Sequence, residues 1–124
     1  MKEKEIRVLK VEPHDNPKET TLKNELSALQ EAVGGLIEFV SLDSDNSIEI
    51  LCNEEGKLIG LEPNRRVYND VIVGTFYVVK CNDDGDCISL SDNEIEFYKK
   101  RFEQPEDISA EEVENTLRYG IEII

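Results

Sequence analysis

The sequence predicts an α+β fold with a mainly antiparallel sheet of about five to six short strands, one helix after the first strand, and two C-terminal helices. Three observations predict it. A helical apolar pattern ends on the paired glycines Gly34 and Gly35 and gives way at once to a strand-like run. Several β-branched or alternating runs follow, separated by turn-forming residues. Two serine capping boxes then begin the last two helical patterns, and we expect residues 1–124 to form a single domain.

The N-terminal third predicts one strand and then one helix. Residues 5–11 alternate in part between apolar and polar side chains, which is typical of a strand with one buried face, and the two prolines of residues 12–19 favour a loop. Thr20 or Thr21 can cap a helix that ends at Gly34, where glycine adopts a left-handed conformation without penalty. The apolar stripe of this helix recurs at spacings of four, three and four residues: Leu22, Leu26, Leu29 and Val33.

The middle of the chain predicts most of the sheet. Residues 37–42 and 48–52 should pair as a hairpin around a loop of turn formers. A second turn, residues 53–56, leads into a short strand over residues 57–61, which ends at Pro63 and the asparagine that follows it.

The most strand-like stretch comes next. Residues 71–79 are β-branched and aromatic, so we expect one central strand there, with Gly74 at a bulge or a close backbone approach. Residues 82–86 form an acidic turn that leads into residues 88–90.

Two helices end the chain. Ser91 with Glu94, and Ser109 with Glu112, have the spacing of capping boxes, and a proline breaks the helical pattern between them. We expect both helices to cover the same face of the sheet as the first helix. Their predicted core residues are Ile95, Tyr98, Phe102, Val113, Leu117 and Ile121.

Charge is unevenly distributed. The chain has 14 basic and 28 acidic residues, a net charge of −14. Residues 1–33 carry six basic and seven acidic residues, whereas residues 34–124 carry eight and 21. Nucleic acid and anionic membranes require basic residues to neutralise phosphate, so we expect neither as a direct partner. The acidity serves either solubility or a partner with a basic surface.

Cysteine use and the absence of a targeting pattern predict a cytoplasmic protein. Cys52, Cys81 and Cys87 are an odd number without tight pairs, which in a reducing compartment indicates ordinary thiols, although Cys81 and Cys87 can face each other across a hairpin. Residues 71–79 form the longest nearly apolar run, which is too short to span a bilayer.

No catalytic group stands out. His14 is the only histidine and lies between prolines, so serine and cysteine nucleophiles lack a base. The spacing of Cys81 and Cys87 does not suit zinc, and aligning Gly85 with the invariant EF-hand glycine places Lys80 at the first ligand position. We expect no enzymatic activity, no metal site and no cofactor.

The candidate binding residues lie in turns and near one basic pair. Arg65 and Arg66 are an adjacent basic pair in the acidic portion, and with a neighbouring asparagine they could receive a phosphate, a nucleotide or a partner's carboxylate. The alternative is pairing within the chain, with Glu54, Glu55 or Glu62. The full set expected to bind a ligand or partner is Asn53, Glu54, Glu55, Asn64, Arg65, Arg66, Asp83, Asp84 and Asp86.

An ordered series of motifs resembles a known family. The segments are LQEAVGGxIE over residues 29–38, CNEEGKLxGLxxNR over residues 52–65 and IVGTF over residues 72–76. Together they resemble a family of small uncharacterised domains of Gram-positive bacteria, their phages and plasmids. The resemblance covers residues 6–92 and leaves residues 93–124 as a C-terminal helical extension. It implies a mobile-element setting and no particular activity.

Two functional hypotheses follow. In the first, the protein is a non-enzymatic interaction protein whose acidic surface imitates nucleic acid and occupies the basic groove of a host defence protein or regulator. In the second, it binds or sequesters a small nucleotide signal around Asn64 and Arg65, at the interface of a homo-oligomer.

Overall fold

The computed structural model describes residues 3–43 and 47–122, with the side chains described to residue 117. It confirms the α+β class. The elements are β1 (Glu5–Val11), β2 (Lys18–Lys23), α1 (Leu26–Val33), β3 (Ile37–Ser41), β4 (Ile48–Asn53), β5 (Pro63–Val67), β6 (Asp70–Val73), β7 (Phe76–Cys81), β8 (Cys87–Ile88), α2 (Asp92–Arg101) and α3 (Ala110–Glu122).

The strands form two antiparallel sheets. The larger sheet has six strands in the order β2-β1-β7-β4-β3, with β8 paired to β7. The smaller one consists of β5 and β6. The predicted hairpin is confirmed, because Ile37 of β3 lies opposite Asn53 of β4 and the register continues to Ser41 opposite Glu49. β7 lies in the middle of the larger sheet, as expected for the second half of the 71–79 run.

Helices cover both faces of the larger sheet. Side chains alternate along a strand, so Ile50 and Leu51 of β4 point to opposite faces. Leu51 lies in the buried cluster that contains Leu29 of α1. Ile50 lies in the cluster that contains Ile95 of α2. The expectation that all helices share one face is therefore wrong: α2 lies opposite α1, and α3 packs through Val113 on the smaller sheet.

The predicted first helix is partly a strand. Leu22 lies on β2 opposite Ile6 of β1, and α1 begins only at Leu26. The residue that caps α1 is Glu25, not Thr20 or Thr21, and it makes no side-chain cap bond. Side chains along β2 alternate between exposed and half-buried, so this segment satisfies a period of two and gains a six-residue ladder with β1.

Residues 57–61, which were expected to form a strand, form a helical turn instead. The amide of Ile59 donates to the carbonyl of Glu55 at 3.0 Å, and that of Leu61 to Gly56 at 2.9 Å. The strand starts at Pro63, where the sequence suggests an end. Proline is tolerated as the first residue of a strand because its missing N–H removes no bond from the ladder there.

Gly74 divides the 71–79 run into two strands of different sheets. Its φ is +73°, and a Cβ at this position would lie 2.7 Å from Cδ1 of Leu61. The chain therefore leaves β6 and enters β7 through a conformation that favours glycine. The expected close backbone approach is confirmed, but the run is not one continuous strand.

The local signals at the helix ends agree with the structure. Gly34 ends α1 in the left-handed conformation, at φ +79°. Ser91 and Glu94 form a complete capping box at the start of α2. The hydroxyl of Ser109 accepts a bond from the amide of Glu112 at 3.1 Å, while the carboxylate of Glu112 turns to Arg66. Ile95, Tyr98 and Phe102 are buried as predicted, Val113 and Leu117 are half-buried, and Ile121 lies outside the described side chains.

Candidate interaction surface

Asn53 holds an acidic turn in place. Its buried side chain donates from Nδ2 to the carbonyl of Val33 at 3.1 Å and accepts at Oδ1 from the amide of Glu55 at 2.8 Å. These bonds join the end of α1 to the turn after β4. Asn53 therefore has a structural role in this state, and Glu54 and Glu55 are exposed.

A second asparagine builds the other acidic turn in the same way. Oδ1 of Asn82 accepts from the amides of Asp84 and Asp86, both at 3.0 Å. Asp83 and Asp84 are exposed and Asp86 is half-buried. Within the described ranges, no three His, Cys, Asp or Glu side chains are grouped closely enough to hold a metal ion. Each turn thus uses an amide to fix its backbone and directs carboxylates outward.

Arg65 is the largest fully buried side chain among the described residues, with 0 % exposure. Its guanidinium donates to the carbonyl of Phe102 from Nε at 3.2 Å and from Nη2 at 2.9 Å. Nη2 also donates to the carbonyl of Asp15 at 2.7 Å. Nη1 donates to the carbonyl and to Oδ1 of Asn64, at 3.3 and 2.7 Å. All five donors of the guanidinium are used within the fold.

Asn64 connects this network to the sheet. Its Nδ2 donates to the carbonyls of Val11 at 2.9 Å and Gly74 at 2.8 Å, while its Oδ1 receives Arg65. Burial lowers the pKa of Arg65, and the Glu106 carboxylate acts in the opposite direction. An anion at this position would have to displace bonds that join β1, β5 and the end of α2. Arginine is rarely buried, so nothing in the sequence indicates this role.

Arg66 points the other way and binds α3. Its Nε and Nη2 donate to the two carboxylate oxygens of Glu112 at 2.6 and 2.8 Å, and Nη1 donates to Glu106 at 3.0 Å. The two arginines therefore do not form one fork. The expected partners Glu54, Glu55 and Glu62 are therefore wrong. Arg66 pairs with Glu106 and Glu112, and Glu62 contacts His14 instead.

The ion pair between Arg66 and Glu112, which clamps α3 to β5, predicts that stability decreases at acid pH. Arg66 lowers the pKa of Glu112, so the stabilisation is complete above the carboxyl's ordinary value and is lost as the pH falls through the folded-state value. We expect Glu112→Gln to lower the melting temperature near pH 7, and the difference from wild type to shrink toward pH ~2. Thermal melts across this range measure it. The matched control is Glu111→Gln, an exposed neighbour. A Glu112→Gln difference that is independent of pH would contradict the assignment.

The predicted site residues do not form one site. Asn64 contacts Arg65, and Asn53 contacts Glu55 within its own turn. The Glu54 turn follows β4, whereas the Asp83 turn follows β7, and these strands are antiparallel, so the two turns lie at opposite ends of the sheet. What they share is exposed negative charge.

Four cations of the acidic portion are used internally. Residues 34–98 contain four basic residues: Lys57, Arg65, Arg66 and Lys80. Lys57 binds Asp70 and donates to the hydroxyl of Thr116 at 3.0 Å. Lys80 pairs with Glu94 at 3.0 Å. With the two arginines already satisfied, this stretch offers its surroundings carboxylates and almost no free cations.

Carboxylates lie close to two of the three thiols, those of Cys52 and Cys81. Burial, with Glu38 nearby, raises the pKa of Cys52 to about 12. Cys81 and Cys87 do face each other across β7 and β8, with sulfurs 4.0 Å apart and no disulfide. The bond with Cys87, burial and the Glu49 carboxylate raise the pKa of Cys81. A raised pKa leaves little thiolate, so Cys52 and Cys81 are poor nucleophiles.

Comparison with known proteins identifies the family. The family model described as a domain of unknown function, DUF3846, matches residues 6–103, and the chain belongs to this family. The match extends through α2, past residue 92. No curated protein and no solved structure matches the chain. None of the helices among the described residues is long and apolar enough to cross a membrane.

Proposed function

We propose that this member of the DUF3846 family is a cytoplasmic, non-enzymatic interaction protein that binds the basic surface of a nucleic-acid-binding host protein. The observation that supports it most is the internal use of Lys57, Arg65, Arg66 and Lys80. Over residues 34–98, carboxylates that face outward and cations that are already paired attract a cationic groove and repel nucleic acid. In a phage or plasmid setting, such a protein would inhibit a host defence protein by charge mimicry.

The geometry specifies which carboxylates are available. Glu54, Glu55, Asp83 and Asp84 are exposed, and no hydrogen bond or ion pair from another described residue engages their carboxylates. The asparagine-based turns hold their backbones fixed, so ordering these side chains on binding costs less than it would in a loose loop.

Neutralising one turn should weaken capture of a basic partner. We expect immobilised protein at ~50 mM salt to enrich DNA-binding proteins from a bacterial lysate, and ~1 M salt to release them because the screening length falls to ~3 Å. Glu54→Gln with Glu55→Gln should reduce capture severalfold. The matched control is Glu25→Gln with Glu31→Gln, which removes equal charge from exposed positions in the nearly neutral N-terminal part.

Added duplex DNA tests the mimicry itself. If the acidic surface occupies a nucleic-acid groove, DNA should compete with it for the captured proteins. Capture that duplex DNA does not displace, or that both double variants weaken equally, would contradict the proposal.

Sequestration of a nucleotide around Asn64 and Arg65 stays a prediction that the geometry does not favour. A cleft of about 280 Å³ lies beside Lys57, but Asp70 already neutralises that cation.

A further inference from the structure

The two edges of the larger sheet differ. β2 forms one edge and begins and ends with lysines, Lys18 and Lys23, a common way to prevent unwanted strand pairing. β3 forms the other edge and contains neither lysine nor proline. In the part of the chain that the structure describes, only β4 pairs with β3. Phe39, in the middle of β3, is 39 % exposed.

The register shows which backbone groups face outward from β3. Leu42 donates to Ile48 at 2.9 Å and Glu54 donates to Leu36 at 2.8 Å. In an antiparallel pair, bonded and non-bonded positions alternate, so the even-numbered residues of β3 bond to β4. The N–H and C=O groups of Ile37 and Phe39 therefore point away from the sheet, in the geometry that an added strand requires.

The segment that forms this edge carries charge of one sign, and the nearby Lys57 is already paired with Asp70. Residues 34–56 contain six acidic residues and no basic residue. Glu38 lies on β3 itself and is exposed, and the Glu54 turn is bonded to the residue just before it. A second copy of this segment would add six more acidic residues of the same sign, which opposes self-pairing. A cationic strand would neutralise them.

We propose that an extended basic segment of the partner adds to the β3 edge as a further antiparallel strand. It bonds to the backbone of Ile37 and Phe39, places an apolar side chain beside Phe39, and directs basic side chains toward Glu38 on the other face. This inference rests on the proposed function and gives it a binding mode, in which backbone pairing adds to charge attraction.

The test uses two labelled heptapeptides of alternating lysine and valine. One has ordinary amides, and the other has N-methyl groups on two central residues, which keep the charge but block strand pairing. We expect the ordinary peptide to bind about tenfold more tightly by fluorescence anisotropy, because the methylated one loses backbone bonds. Its binding should also slow hydrogen exchange at the Ile37 and Phe39 amides of the unaltered protein.

Matched proline variants locate the edge. Phe39→Pro removes an outward N–H without breaking the β3–β4 ladder and should abolish the difference between the peptides. Thr21→Pro removes an outward N–H from β2 and should leave the difference in affinity between the two peptides unchanged. Phe39→Lys, which keeps the amide, should also weaken binding of the ordinary peptide, so the test does not depend on tolerance of proline.

Each other outcome overturns the inference in a recognisable way. Equal binding of both peptides would leave charge attraction, and with it the proposed function, but would exclude strand addition. Binding of neither peptide would count against both proposals. A dimer that light scattering detects in the wild type and not in Phe39→Pro would show that a second copy occupies this edge.

Discussion

Replacing Arg65 with methionine should lower the free energy of unfolding by about 3 to 5 kcal/mol, since each buried acceptor left without a donor costs about 1 to 3 kcal/mol. The side chain is fully buried, and methionine fills similar space without any donor. The carbonyls of Phe102 and Asp15 and the amide oxygen of Asn64 would each lose a charged donor inside the protein. Leaving buried acceptors unpaired is more costly than the net gain from an average hydrogen bond.

Urea unfolding followed by circular dichroism measures this loss. Arg65→Lys is the matched control, because it keeps the charge but has three donors at a single centre and cannot reach all the acceptors. The free energy of unfolding of Arg65→Lys should lie between those of the wild type and Arg65→Met. A change below ~1 kcal/mol for Arg65→Met would show that the guanidinium bonds are replaceable.

The same network changes how ligand binding must be tested. A variant at Arg65 would fail through loss of the fold, whether or not the position binds anything. Arg66 is exposed, but its replacement releases the clamp on α3. Thermal shift of the unaltered protein with a nucleotide panel is therefore the cleaner test of the small-ligand hypothesis, and a shift that survives high salt would favour it.

Local rules predict the elements whose ends depend on neighbouring residues. The capping box at Ser91 and Glu94 and the left-handed Gly34 need only a few adjacent residues, and both are present. The hairpin of β3 and β4 follows from two strand-like runs and a turn between them. The acidic turns are likewise visible, because asparagine, aspartate and glycine have strong turn preferences.

Tertiary contacts decide the rest. Leu22 fits a helical stripe and a strand equally well until β1 supplies a partner ladder. Nothing local shows that the 71–79 run must break at Gly74, because the break depends on Leu61 and Asn64 packing against it. The role of Arg65 depends on a carbonyl of Phe102, 37 residues away. Long-range acceptors of this kind leave no pattern in one sequence.

Replacing Phe76 with alanine should cost about 3 to 5 kcal/mol, comparable with the loss at Arg65. The ring is completely buried on the central strand and packs edge-on against Phe102, with centroids 5.3 Å apart and planes at 78°. Alanine would leave a cavity where α2 meets the sheet. Phe76→Leu is the matched control and should cost less than ~1.5 kcal/mol, because it keeps most of the volume. A similar loss for both variants, by urea unfolding, would contradict a cavity origin.

A double-mutant cycle then tests whether the two positions form one unit. Phe102 contacts Phe76 through its ring and receives Arg65 at its carbonyl, so a shift caused by one replacement moves the partner of the other. We expect Phe76→Leu and Arg65→Lys to deviate from additivity by at least ~0.5 kcal/mol. Phe76→Leu with Leu29→Ala should be additive, because Leu29 lies in the cluster on the opposite face of the sheet. Additivity in both cycles would show that the ring and the guanidinium stabilise the end of α2 independently.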